Sequence, residues 1–174
     1  SAGMTRLPRL PILASVMLIA NHIYKSLSFI NLSEESVMPV VETDFLKGII
    51  DSRDRLHSSS VKALLQVQKK SWHIASSAFI ELDLLLKHSG ISAKDRVKTF
   101  QALKSEIPRE AILSVSHQTL SEAALLQGRY HRISYFYFDS IHLATAIELD
   151  REIVSSDKAF DQIEEIRRIP LEDL

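Results

Sequence analysis

Short apolar runs alternate with amphipathic stretches along residues 38–174. The apolar runs have the length of buried strands, and the stretches between them repeat their apolar positions at helical spacing. Strands are predicted over residues 40–41, 72–75, 111–115, 153–155 and 167–169. Helices are predicted over residues 43–50, 77–87, 116–132 and 137–150, with others after Ser58 to Ser60 and after Ser92.

Polar and small residues mark the ends of several predicted helices. Gly90 follows the helix at 77–87 and is typical of a residue just beyond a helix end. Ser92 and Asp95 have the spacing of a capping box, and Pro108 stops the helical pattern that follows them.

Strands that alternate with helices predict right-handed βαβ units. The expected fold is therefore α/β, a three-layer α/β/α arrangement around a parallel sheet of four to five strands. In open sheets of this kind, ligands bind outside the carboxyl ends of the strands. Residues directly after the strands are thus the first to be considered as a functional site.

Composition narrows the classes of function. The chain has 174 residues, enough for one domain with a core of its own, and a net charge of −1. That charge gives no global attraction to a polyanion, so local patches or a metal would have to supply one. The absence of cysteine excludes disulfides and thiol chemistry, and four glycines without a Gly-rich loop argue against a phosphate-cradling nucleotide site.

Residues 1–37 differ from the rest and are predicted to be an N-terminal extension to a single domain at 38–174. Ser1 to Gly3 precede Met4 and resemble the remnant of an expression vector. The apolar run at 10–20 is too short to span a bilayer as a helix.

A second start codon is available at Met38, and Glu34-Glu35 can be encoded by a purine-rich ribosome-binding sequence. We therefore hypothesise that residues 4–37 are a translated leader; a gene without that purine run would exclude this. The alternative is a genuine N-terminal helix that packs on the domain or on a second subunit.

Acidic residues recur where the predicted strands end. Glu42 and Asp44 follow the first strand, Glu81 lies one turn into the helix after the second, Asp139 opens a late helix, and Asp157 follows the fourth strand. The predicted fold brings such positions to one edge of the sheet.

Helix capping explains an isolated aspartate at a helix start, with a contribution of ~1 kcal/mol. Glu81 fits this explanation poorly because it lies in an apolar stretch, where an unpaired charge is costly. Several converging carboxylates would repel one another unless a cation neutralised them. Carboxylate oxygens without His or Cys favour Mg²⁺ or Mn²⁺.

In order and spacing, these motifs resemble the PIN domain, the ribonuclease fold of the toxin in VapBC toxin–antitoxin pairs. The resemblance covers about Met38 to Leu171. It rests on Glu42-Thr43-Asp44 after a strand, Glu81 in the next long helix, Asp139 with Leu143, Ala144 and Ala146, and the turn containing Ser155, Asp157 and Phe160. One departure is Glu42, because the family usually has Asp there.

The resemblance implies an endoribonuclease that uses one or two Mg²⁺ or Mn²⁺ ions. It implies catalytic roles for Glu42, Asp44, Glu81, Asp139 and Asp157. All of these except Glu81 are the expected metal ligands, and either Glu42 or Asp44 is the primary first ligand. Thr43 and Ser155 are expected to orient a carboxylate or a water.

By the same resemblance we expect a cytoplasmic toxin that is a homodimer, binds RNA and an antitoxin protein, and does not bind a membrane. Arg53, Arg55, Arg129 and Arg132 are weak candidates for contacts to RNA phosphates, since surface charges are more often simply solvated. Packing or exposure, not catalysis, is expected for His142. Tyr135 to Phe138 are expected in the core or at a subunit contact.

Two other functions remain open at this point. A PIN-like RNA-binding scaffold with weak catalysis is compatible with the altered Glu42. A haloacid-dehalogenase-type phosphatase would use elements like Glu42-Thr43-Asp44 and the segment 157–161, but its first acid must be an Asp nucleophile. That enzyme also has no use for Glu81 and Asp139.

Overall fold

A computed structural model of the protein describes residues 37–131 and 136–174. The strands are β1 (Val40–Val41), β2 (His73–Ala75), β3 (Ile112–Leu113), β4 (Glu152–Ser155) and β5 (Arg167–Pro170). The α-helices are α1 (Thr43–Ile50), α2 (His57–Gln68), α3 (Ser76–His88), α4 (Ala93–Glu106), α5 (His117–Arg129) and α6 (Tyr137–Glu148). Short 3-10 helices cover Arg109–Ala111, Lys158–Gln162 and Leu171–Asp173.

The five strands form one sheet in the order β3-β2-β1-β4-β5, and every neighbouring pair is parallel. β1 lies at the centre, with Val41 in register with Ile74 of β2 and with Val154 of β4. The chain leaves β1 toward β2 and β3 on one side and later returns to β4 and β5 on the other. The predicted parallel α/β fold is confirmed.

Alternate residues of the central strands enter two separate hydrophobic cores. Val41, Ile74 and Val154 pack in one core with residues of α1 to α4. Val40 and Ile153 pack in the other with residues of α5 and α6. Successive side chains of a strand point to opposite faces of a sheet, so the sheet is covered on both faces and the layers are three.

Helix ends follow the predicted signals only in part. Gly90 has a φ of +76°, in the left-handed region that favours glycine, just beyond α3. Ser92 accepts a hydrogen bond from the backbone of Asp95, and Ser116 forms a complete capping box with Thr119.

Several boundaries move by a few residues. α2 begins at His57 after Leu56, without a side-chain cap, so the predicted start within Ser58 to Ser60 is late. β3 is only two residues long, because Ala111 belongs to a 3-10 turn and the pairing with β2 ends at Leu113. α5 ends at Arg129, not at residue 132.

Residues 1–36 of the predicted N-terminal extension lie outside the described residues, as do Arg132 and Tyr135. Within residues 37–131 and 136–174, no helix combines the length and apolarity needed to cross a bilayer.

Candidate metal centre

The acids predicted from the sequence lie around the carboxyl ends of β1 and β4. These strands are neighbours, although the chain runs from β1 to β2 and reaches β4 more than 100 residues later. Such a switch in connectivity leaves a crevice outside the strand ends, because the helices that follow depart to opposite faces. Glu42 follows β1, and Ser155 to Asp157 end or follow β4.

Glu42 is held across this switch point. The pairing of Val41 with Val154 places the next residues, Glu42 and Ser155, side by side. The Ser155 hydroxyl donates to Glu42 Oε1, and the other carboxylate oxygen lies 4.0 Å from His142 Nδ1. Glu42 is only 6% exposed. The longer side chain that departs from the usual Asp therefore accepts a hydrogen bond from Ser155 and brings its other oxygen near His142.

Asp44 and Asp157 are held by hydrogen bonds with the turn after β4 and with the 3-10 helix that follows it. Asp44 Oδ2 accepts a hydrogen bond of 2.7 Å from the Ser156 backbone, while Asp44 Oδ1 is buried without a partner. Asp157 caps the following 3-10 helix by accepting a 2.7 Å hydrogen bond from Ala159. Its own backbone N–H donates to Ser155 Oγ at 2.8 Å.

Glu81 and Asp139 reach the site from two helices, α3 and α6, that contact each other. Glu81 Oε2 accepts a hydrogen bond from the Thr43 hydroxyl. α6 begins at Tyr137 after the N-cap Phe136, so Asp139 lies inside the first turn and is not the cap. Helix capping therefore does not account for Asp139, although the helix N-terminus still favours its ionised form.

Burial and mutual repulsion act on the protonation of the acids. Burial, then the Glu81, Asp157 and Asp44 charges, raise the pKa of Asp139 to about 7. Burial, followed by the charge of Asp44, raises the pKa of Glu42 well above its usual value. Burial also raises the pKa of Asp44 and Glu81, against the hydrogen bonds from Ser156 and Thr43. The five predicted acids thus lie close enough to interact electrostatically.

His142, for which the sequence predicted packing or exposure, lies beside the acids. It is fully buried, and one of its ring nitrogens lies with oxygens of Glu42 and Asp139 such that all three atoms are within 4.8 Å of one another. Burial lowers the pKa of His142 to about 4, so the imidazole is neutral at pH 7. The available signal was its spacing, since residues three apart on a helix are neighbours.

Lys47 is a further residue near the acids that the sequence did not single out. It is exposed on α1, and its charge lowers the pKa of both Asp44 and Glu81. Its position three residues after Asp44 places it on the same side of α1, which is the signal that could have revealed it.

The predicted arginines are less closely tied to the acids. Arg53 forms an ion pair with Asp51 at 3.1 Å, and Arg129 pairs with Glu165. Arg55 is exposed. These pairings fit the expectation that most such charges are surface charges.

The arrangement is suited to a divalent cation. Carboxylates with raised pKa values hold protons when no cation is present, and a hard cation replaces those protons while removing the repulsion. The buried Asp44 Oδ1 and both ring nitrogens of His142 have no hydrogen-bond partner, so the carboxylate oxygen and the unprotonated ring nitrogen each offer an unused electron pair.

Comparison with known proteins bears on the fold. A family model described as "PIN domain" matches residues 40–166. A structure described as "Toxin-antitoxin complex from Klebsiella pneumoniae" is similar, with a TM-score of 0.52 and 21% identity over 76% of this chain and 97% of that chain. No curated protein matches the chain.

Proposed function

Since the chain belongs to the PIN-domain family, we propose that it is a metal-dependent endoribonuclease and the toxin of a toxin–antitoxin pair. PIN domains are generally nucleases. The observation that carries the proposal is the convergence of acids with raised pKa values at the β1–β4 switch point. Clusters of acids with shifted pKa values are typical of functional sites, and a divalent cation would remove the repulsion between these carboxylates.

The proposed ligands of Mg²⁺ or Mn²⁺ are Glu42, Asp44, Asp139 and Asp157, with Glu81 completing the acidic site. When bound, the metal lowers the pKa of a water and stabilises charge on the phosphate. Hydrogen bonds orient three of these acids: the Ser155 hydroxyl donates to Glu42, the Ser156 backbone donates to Asp44, and the Thr43 hydroxyl donates to Glu81.

An acidic site also needs a positive group to approach RNA. Lys47 is exposed beside Asp44 and Glu81, which makes it the best-placed candidate to contact a phosphate near the acids. Arg55 is a candidate for a more distant phosphate contact, whereas Arg53 and Arg129 would first have to leave their acidic partners.

The toxin role is supported by the similar structure described as a toxin–antitoxin complex. A small antitoxin gene beside this one, whose product blocks the acidic site, is the expected genetic context. A homodimer, RNA as the substrate and a cytoplasmic location remain predictions from the family resemblance.

Cleavage of RNA in Mn²⁺, in Mg²⁺ and in EDTA tests the activity. We expect cutting with either metal, none in EDTA, and a loss of ~100-fold or more in Asp139→Asn, since changing even the residues behind a metal ligand loses 10–100-fold. Asp83→Asn is the matched control. It makes the same exchange on α3, at an acid whose side chain is 41% exposed and pairs with Arg96.

Each alternative function has its own outcome in this assay. If neither the wild type nor the variant cuts any RNA, while circular dichroism shows that both are folded, the protein is an RNA-binding scaffold and not a nuclease. Hydrolysis of a small phosphomonoester would instead favour a phosphatase. Cutting that persists in EDTA would exclude the metal-dependent mechanism.

A further inference from the structure

His142 has no hydrogen-bond partner for either ring nitrogen, although it is 0% exposed. Buried polar groups normally have partners, and each one left without costs about 1–3 kcal/mol. His57 and His88, in contrast, each lie 2.8 Å from a backbone carbonyl through Nδ1. In the part of the chain that the structure describes, no other histidine has both ring nitrogens unpartnered and buried.

The unsatisfied ring faces the acids and not the apolar core alone. Nδ1 lies 4.0 Å from Glu42 Oε2, too far for a hydrogen bond but close enough to share a third atom with it. Asp139, one turn before His142 on α6, contributes an oxygen to the same group. His142 is fully buried on α6, a helix that contacts both β1 and β4.

The spacing of these atoms suits a single ion. The three donor atoms lie within 4.8 Å of one another, and opposite ligands in an octahedral site with bonds of about 2.1 Å are ~4.2 Å apart. Only one of the three pairs can be opposite, and adjacent ligands are ~3.0 Å apart, so one ion that contacts all three would draw the donor atoms closer together.

We propose that His142 is a metal ligand, and that it completes a site with one ring nitrogen and the carboxylates of Glu42 and Asp139. The inference rests on the proposed function and adds a nitrogen ligand to a site expected to be all oxygen. Imidazole suits first-row transition metals, whereas Mg²⁺ prefers oxygen ligands and water. The site would thus bind Mn²⁺ in preference to Mg²⁺.

Electron paramagnetic resonance of bound Mn²⁺ tests this without any measurement of activity. In the wild type, pulsed spectra should show coupling of Mn²⁺ to an imidazole nitrogen, and labelling histidine with ¹⁵N should change it. His142→Leu should lose the coupling and bind Mn²⁺ ~10-fold more weakly or worse, with Mg²⁺ affinity changed less. His73→Leu is the matched control, because His73 is also buried with an unpartnered Nδ1.

The outcomes separate this inference from the nuclease proposal. Bound Mn²⁺ without nitrogen coupling in the wild type overturns the ligand role of His142, whether or not the variant folds, while RNA cleavage can still stand. Nitrogen-coupled Mn²⁺ in a protein that cuts no RNA supports the ligand and rejects the nuclease. If Mn²⁺ does not bind at all, the ligand role is rejected.

Discussion

Glu42 illustrates how one methylene changes a site. At this position the family usually has Asp, and the longer side chain brings one oxygen to Ser155 and the other to within 4.0 Å of His142. An aspartate would withdraw the carboxylate by about 1.5 Å, the length of one carbon–carbon bond. The position of Ser155 therefore suits the length of a Glu side chain.

Glu42→Asp should weaken Mn²⁺ binding by ~10-fold or more and slow RNA cleavage, because the shortened carboxylate leaves Ser155 and the cation. Calorimetric titration with Mn²⁺ and cleavage rates measure the two effects. Glu42→Gln keeps the length and removes the charge, so it should lose binding as well. An Asp variant as active as the wild type would show that side-chain length is unimportant here.

The helix α1 connects this chemistry to the packing of the domain. It carries Thr43 and Asp44 at its start, and further along it Gly48 lies against α2. A methyl group at Gly48 would lie 2.1 Å from Ser60 Oγ and 3.2 Å from the Leu56 carbonyl oxygen. The absence of a side chain at this position lets the two helices approach closely.

Gly48→Ala should lower the free energy of unfolding by ~1–3 kcal/mol, because the overpacking outweighs the gain in helix propensity. Urea denaturation measures it. Gly128→Ala in α5 is the control, since nothing lies within 4 Å of its added methyl group, and it should be neutral or stabilising by up to ~1 kcal/mol.

Adding Ser60→Ala to Gly48→Ala removes the closest atom, so part of the lost stability should return. If Gly48→Ala is as stable as the wild type, the close packing of α1 on α2 is not important for stability.

The molecule as a whole has almost no net charge, yet it concentrates five acids at one edge of its sheet. A carboxylate whose folded pKa is raised stabilises the fold fully below its unfolded pKa. That contribution is lost as the pH rises through the folded value. The carboxylates that would bind a cation therefore lower the stability of the metal-free domain near neutral pH.

In EDTA, the free energy of unfolding should fall between about pH 4 and pH 7, the unfolded and folded pKa values of Asp139, and saturating Mn²⁺ should reduce this fall. The pKa of Asp139 rises from 3.8 to about 7, which corresponds to at most ~4 kcal/mol. Asp139→Asn should therefore be more stable than the wild type at pH 8 by ~2 kcal/mol and equally stable at pH 4. Denaturant titrations at each pH measure this difference in unfolding free energy. Identical pH profiles for the wild type and the variant would contradict the repulsion between the acids.

Much of the fold was determined by the sequence alone, because strand and helix periodicity are local properties. The apolar runs predicted all five strands within a few residues, and acids directly after them predicted a site at the carboxyl edge. The start of α2 differs from its predicted position, because tertiary packing and not a capping side chain decides where this helix begins.

Contacts between distant segments were decided only by the tertiary structure. Glu42 meets Ser155 because β1 lies beside β4 and not only beside β2, an order that no local pattern encodes. The burial of His142 against Glu42 depends on the same neighbourhood. Phe136 and Tyr137 are 53% and 60% exposed in the single chain, so of the two places predicted for them, the core and a subunit contact, only the subunit contact stays a prediction. Residue type predicts a tendency to be buried, whereas the neighbours that the fold supplies decide what each side chain does.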